Sequence, residues 1–136
     1  MQIKKALVTG ASFGIGEEFA RQIARQNSDL VLVARSQDKL EKLASELQSQ
    51  YGVKVQVISQ DLTEAGAGQV IFDQVEGGPE TVDLLVNNAG FGDYGPLDER
   101  SLAKQLAMVQ LNVTVLVELT HLFLGVMKAR SFGAIV

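Results

Sequence analysis

The chain has 136 residues, enough for one domain with a single core, and its 46% hydrophobic and 21% charged residues with two prolines exclude a disordered protein. Twelve Lys and Arg against sixteen Asp and Glu leave a formal charge of -4 with no cationic run longer than Lys4-Lys5, which argues against nucleic acid as a partner, since neutralising phosphates requires clustered cations. Cysteine is absent, so disulfides and thiolate metal centres are ruled out.

In chain order, Ile3 to Thr9 is a short β-rich segment, apolar toward its end, that runs into Gly10, Gly14 and Gly16. It predicts a buried parallel strand followed by a turn. Ile15 to Gln26 places Ile15, Phe19, Ala20, Ile23 and Ala24 at helical spacing with a polar face between them. Leu30 to Ala34 is a continuous apolar strand. Asp38 to Tyr51 is a helix with Leu40, Leu43, Ala44 and Leu47 on one face, stopped by Gly52.

Val53 to Ile58 predicts a third strand, Ala65 to Val75 a weak helix interrupted by Gly66 and Gly68, and Val82 to Val86 a fourth strand. Ser101 to Arg130 reads as one long or broken helical region whose apolar stripe is Leu102, Leu106, Val109, Val113, Leu116 and Val117. Gly133 to Val136 starts a fifth strand. Strand and helix alternate throughout, without linker or low-complexity segment, so residues 1–136 form one α/β domain: a doubly wound parallel sheet of four to five strands in three α/β/α layers.

Met1 leads straight into strand pattern with no export signal, and the longest apolar stretch, Val113 to Met127, is interrupted by Glu118 and His121. The sequence therefore predicts no membrane span and a cytoplasmic protein. His121, the sole histidine, has no second ligand nearby, and no metal site is expected.

The turn Thr9-Gly10-Ala11-Ser12-Phe13-Gly14-Ile15-Gly16 joins a strand to a helix. Glycines there let the backbone turn sharply and let a pyrophosphate approach the helix N-terminus, where free N–H groups and the dipole favour negative charge. The spacing differs from G-x-G-x-x-G, with Phe19 in the third glycine's place. Asp61-Leu62 follows the third strand, Asn87-Asn88-Ala89-Gly90 follows the fourth, and Asn112 lies 22 positions after Gly90. Taken singly, Asp61 is equally well a cap or turn residue, Asn87 and Asn88 a turn, and Asn112 a solvated helix position.

Together and in this order, these segments resemble the short-chain dehydrogenases/reductases. The resemblance implies a Rossmann-type sheet that binds a nicotinamide dinucleotide through Gly10, Ser12, Phe13, Gly14, Ile15 and Gly16. It further implies Asp61 and Leu62 against the adenine, Asn88, Ala89 and Gly90 along the adenine ribose, and Asn112 as a member of the catalytic group. The activity implied is hydride transfer between NADP(H) and a carbonyl or alcohol substrate, and the helix from Val113 to Met127 resembles the one through which family members dimerise.

An NAD site commonly offers a carboxylate at the end of the second strand for the ribose hydroxyls. Here Val33-Ala34-Arg35-Ser36 stands in that place, where Arg35 can grip a 2′-phosphate, so NADP(H) is preferred over NAD(H). Ala34-Arg35 also speaks against a methyltransferase on a similar sheet. The family's serine and Tyr-x-x-x-Lys are missing: Tyr51 is followed four positions on by Val55, and Tyr94 by Asp98. This chain is therefore expected to be inactive alone, as the cofactor-binding part of an oxidoreductase or as a non-catalytic NADP(H)-binding module or sensor. The edge beside the fourth strand and the apolar stripe of Val113 to Met127 are expected to be exposed or to need a cover, and self-association into a homo-oligomer is expected.

Overall fold

Side chains on successive strand residues point to opposite faces of a sheet, and this chain is apolar at both parities of its central strands, so each face must be covered. A computed structural model describes residues 2–76 and 81–136 and shows how. Strands β1 (Lys5–Thr9), β2 (Asp29–Ala34), β3 (Val55–Ser59), β4 (Leu84–Val86) and β5 (Ala134–Ile135) form one sheet in the order β3-β2-β1-β4-β5, every pair parallel. Helices α1 (Gly14–Arg25), α2 (Gln37–Tyr51), α3 (Ala67–Glu76), α4 (Leu102–Val109) and α5 (Val115–Ala129) alternate with them. The sheet is thus the Rossmann-like α/β arrangement that the sequence predicts.

The two faces have separate cores. Ala6, Val8, Leu30, Leu32 and Ala34 meet Ala20 and Ala24 of α1 and Leu40, Leu43, Ala44 and Leu47 of α2. Leu7, Val31, Val33 and Leu85 meet Ala67, Ile71 and Val75 of α3 and Val115, Leu119, Phe123 and Met127 of α5. Phe123 is fully buried and packs edge-on against Phe72, the ring centroids 5.1 Å apart. Each such side chain contributes about 1.5–3 kcal/mol through removal of apolar area from water.

Several boundaries differ from the sequence-based expectation. The third strand starts at Val55 rather than Val53, because the amide of Lys54 is taken by the Asp29 carboxylate at 2.8 Å before the ladder begins. The third helix starts at Ala67, since Gly66 adopts a left-handed φ of 77°. The edge beside β4 is covered by β5, the fifth strand started by Gly133 to Val136, through Leu84 against Ala134 and Leu85 against Ile135.

The region 101–130 is broken by a π-helical turn over Gln110–Thr114. The stripe Leu102, Leu106, Val109, Val113, Leu116 and Val117 is exposed, while a second set, Val115, Leu119, Phe123 and Met127, makes the core contacts. The helical run Leu102–Ala129 is long and apolar enough, by length and composition, to cross a membrane, although the second set is committed to the sheet.

The amino-terminal rim of the sheet is fastened by Asp83, a 5% exposed residue whose carboxylate accepts from the Lys4 amide at 2.8 Å and from Arg130 Nη1 at 2.6 Å. Burial pushes this carboxyl up, but the Lys4 amide and the Arg130 guanidinium outweigh it and hold the group below its usual value of 3.8. A depressed folded pKa means stability that is present above the unfolded value and lost as pH falls through the folded one. Urea unfolding midpoints are therefore expected to hold level from pH 7 to about 5 and to fall below about pH 4. Asp83→Asn is expected to lower the neutral-pH midpoint and to flatten the acid loss.

Candidate functional site

The order β3-β2-β1-β4-β5 runs outward from β1 to β3 and then reverses through β4, so a crevice opens beyond the carboxyl ends of β1 and β4, where sheets of this kind hold ligands. What joins those two ends is the side chain of Thr9. Its hydroxyl, on a 2% exposed residue, donates to the Val86 carbonyl at 3.3 Å and accepts from the amides of Asn88 and Ala89, each at 3.0 Å. In return Asn88 Nδ2 donates to the carbonyls of Thr9 at 3.1 Å and Gly10 at 3.2 Å. Each bond adds about 0.5–1.5 kcal/mol net, and more is lost if one partner is left buried and unpaired.

This junction dictates the first glycine turn. A Cβ at Gly16 would lie 2.2 Å from the Gly10 carbonyl oxygen and 2.4 Å from Asn88 Nδ2, so only glycine lets α1 start this close to β1. Gly14 has a left-handed φ of 59°, and nothing lies within 4 Å of the place a Cβ would take, which leaves its outer side open. Helix α1 begins there with Phe13 extended in the N-cap position and no side chain capping it. The first-turn amides and the positive end of the helix dipole therefore face the crevice beside partly buried Ser12 and exposed Phe13 and Ile15.

Arg35 directly follows β2 and is exposed, and its carbonyl is held by the Ser59 hydroxyl at 2.9 Å. Among the described residues no hydrogen bond or ion pair engages its guanidinium. Asp61, past β3, accepts at Oδ1 from the Thr63 hydroxyl at 2.7 Å and the Thr63 amide at 2.9 Å. Those two bonds, with the nearby charge of Arg35, hold its carboxyl below the usual range. Asp61 thus shapes its own turn, the local role open to it from sequence, while Leu62 is buried in the core below.

Asn112 lies in the π turn, which places its side chain against the strand-end loop. Its Nδ2 donates to the Phe91 carbonyl at 2.8 Å and its Oδ1 accepts from the Phe91 amide at 3.1 Å. The amide group is spent on backbone, and it presses on Gly90, where a Cβ would sit 3.1 Å from Oδ1. Asn87 braces the same region: its Nδ2 donates to Thr120 of α5 at 3.1 Å and its amide to the Val136 carbonyl at 2.8 Å.

The fold brings Gly10, Gly16, Asn88 and Ala89 into contact, with Gly14 and Gly90 next to them along the chain, while Arg35 stands exposed past the end of β2. The sequence pattern marks Thr9 only as the residue that opens the glycine turn, not for its hydroxyl. A polar residue ending a buried strand needs an internal partner, and that is the signal Thr9 carries. Nor does the pattern mark Asp93, whose contacts run to α4. Of the two tyrosines, Tyr51 ends α2 against the core and Tyr94 is 95% exposed. His121 is exposed, and the described residues contain no group of three His, Cys, Asp or Glu able to hold a metal.

Comparison with known proteins agrees with this geometry. The short chain dehydrogenase family profile matches residues 4–136. The chain is 35% identical to a very-long-chain 3-oxoacyl-CoA reductase of Anas platyrhynchos over 96% of its own length and 43% of that protein's. It is 28% identical to a 7beta-hydroxysteroid dehydrogenase of Collinsella aerofaciens, covering 96% of this chain and 49% of the other. Among solved structures, a short-chain dehydrogenase from Sphingobium yanoikuyae in complex with NADPH superposes with a TM-score of 0.91 at 32% identity, covering 97% of this chain and 51% of that one. L-Sorbose reductase from Gluconobacter frateurii, complexed with NADPH and L-sorbose, superposes at 0.90 with 33% identity, covering 97% and 50%. The chain spans about half the length of the relatives it matches. It belongs to the short-chain dehydrogenase family, as the portion that builds the strand-end crevice.

Proposed function

We propose that the crevice binds NADP(H) in preference to NAD(H), and that the chain is the cofactor-binding part of an oxidoreductase that moves hydride between NADP(H) and a carbonyl or alcohol substrate. The observation that carries this reading is the uncapped start of α1, drawn against the ends of β1 and β4 by a contact only Gly16 permits, with open space outside Gly14. That is a cradle of backbone amides for a pyrophosphate. The NADPH named in the Sphingobium and Gluconobacter structures supports it.

In this reading the amides of Gly14, Ile15 and Gly16, with Ser12, hold the pyrophosphate, and Phe13 and Ile15 shield it. Arg35 pairs with the 2′-phosphate, Asp61 and Leu62 border the adenine, and Asn88, Ala89 and Gly90 line the ribose. Asn112 acts by fixing the backbone of Phe91. The dinucleotide, when bound, supplies the hydride. A tyrosine with lysine four positions later, which would move the proton, is not among these 136 residues. We therefore expect the isolated polypeptide to bind without turnover. A non-catalytic NADP(H)-binding module is the second reading, favoured by the commitment of both Asn112 amide atoms to Phe91. The exposed stripe on α4 and α5 supports self-association as a homo-oligomer.

Three measurements test this. Titration by NADPH fluorescence is expected to show saturable binding, and Arg35→Asp to weaken NADPH by roughly ten- to a hundred-fold, the weight of charge-assisted hydrogen bonds to one phosphate, while NADH is no worse. An unchanged NADPH affinity would reject the assignment of Arg35. Gly16→Ala is expected to abolish binding of both dinucleotides by pushing α1 from β1. In light scattering the chain is expected to run larger than a monomer, and a Leu106→Glu, Val113→Glu double variant to run as one.

A further inference from the structure

We propose that Asp93 is a positioning residue for the reacting end of the site: it fastens the loop between β4 and α4 onto the first turns of α4, and so sets the wall beyond Gly90. This rests on the dinucleotide reading above. Arg35 and Asp61 place the adenine half over β2 and β3, so a dinucleotide laid across the reversal puts its nicotinamide half past β4, under the segment that begins at Gly90.

That loop has little regular structure, a single 3-10 turn at Leu97–Glu99, and most of its residues are exposed. The Asp93 side chain is not, at 5% exposure. Four donors fill its two oxygens. Arg100 Nη2 at 2.6 Å and Lys104 Nζ at 3.1 Å reach Oδ1, while Arg100 Nε and Gln105 Nε2, each at 3.0 Å, reach Oδ2. The backbone wraps the same arginine: Gly95, at a φ of 139°, would put a Cβ 3.0 Å from Arg100 Cδ. Arg100 and Lys104 hold the carboxyl far below the ordinary carboxylate range.

The loop is therefore pinned twice. Asn112 holds Phe91 by its backbone, and two residues on Asp93 is drawn to α4, so Phe91, Gly92 and Asp93 lie between two anchors. Tyr94 projects outward just past the second anchor. A wall under that constraint meets a ligand in one conformation, which reduces the ordering cost of binding at this end and leaves the adenine end untouched.

The test separates the two ends with two ligands, NADPH and 2′,5′-ADP, which lacks the nicotinamide. Asp93→Asn is expected to weaken NADPH by roughly five- to twenty-fold and to reduce the blue shift of its bound emission, with 2′,5′-ADP held within about two-fold. Arg100→Gln, which leaves the carboxylate two partners, is expected to act in the same direction and decides the matter alone if Asp93→Asn does not fold. The double variant is expected to be little worse than the stronger single one, as for two halves of one contact. Unchanged NADPH binding in the variants, or parallel loss of both ligands, would overturn the role of Asp93 while leaving the dinucleotide reading in place. A folded wild-type chain that binds neither ligand would overturn that reading itself.

Discussion

The hydroxyl of Thr9 sits where the sheet changes direction, and the rest of the site depends on it. Strands β1 and β4 are adjacent in space but 79 positions apart at their starts, Lys5 and Leu84 lying on opposite sides of five other elements. Backbone pairing joins their middles, and beyond Val8 and Val86 the strands would be free to splay. One buried hydroxyl that donates to one strand-end carbonyl and accepts two amides, with the Asn88 side chain answering from the other side, holds them parallel to the end. The distance from Gly10 to Asn88 then fixes how near α1 can come, and with it where its amides point.

The opposite side of the sheet shows a different economy. At 100° per residue, Val115 lies on the far side of a helix from Val113, and a helix with apolar residues at both positions has two greasy faces. One, through Val115, Leu119, Phe123 and Met127, completes the core over β1 and β4. The other continues from α4 through the π turn to Val117 and faces outward. The extra residue in a π turn is also what lets Asn112 leave the helix surface for Phe91, so the same irregularity serves the loop and the stripe.

Most of the fold was legible because its signals are local. Apolar runs gave the strands, i and i+4 spacing gave Leu40, Leu43, Ala44 and Leu47 their face, and Gly52, with its left-handed φ of 71°, stops α2 as expected. The glycine turn and the Asn87–Gly90 segment were legible for the same reason, each being a short pattern next to a strand. What escaped depends on residues far apart or on chemistry without a pattern. Thr9 and Asn88 are 79 positions apart, and neither announces the other. The segment Gln110–Thr114 holds no glycine or proline, so nothing in it marks a widened turn. Asp93 reads as a loop carboxylate until α4 folds back to meet it. The sequence shows the stripe as apolar and uncovered; that Val115, Leu119, Phe123 and Met127 form a second set claimed by the core follows only from the fold.

The two rims of the sheet are made of different materials. Where Asp83 meets Arg130 and the Lys4 amide, opposite charges are joined, and a proton can dissolve the bond. The seam of Thr9 and Asn88 has a hydroxyl, a carboxamide and backbone, none of which changes its charge in the range where carboxylates titrate. Protonating Asp83 therefore weakens the rim farthest from the glycine turn and removes none of the bonds of Thr9 and Asn88 on which the floor of the crevice rests.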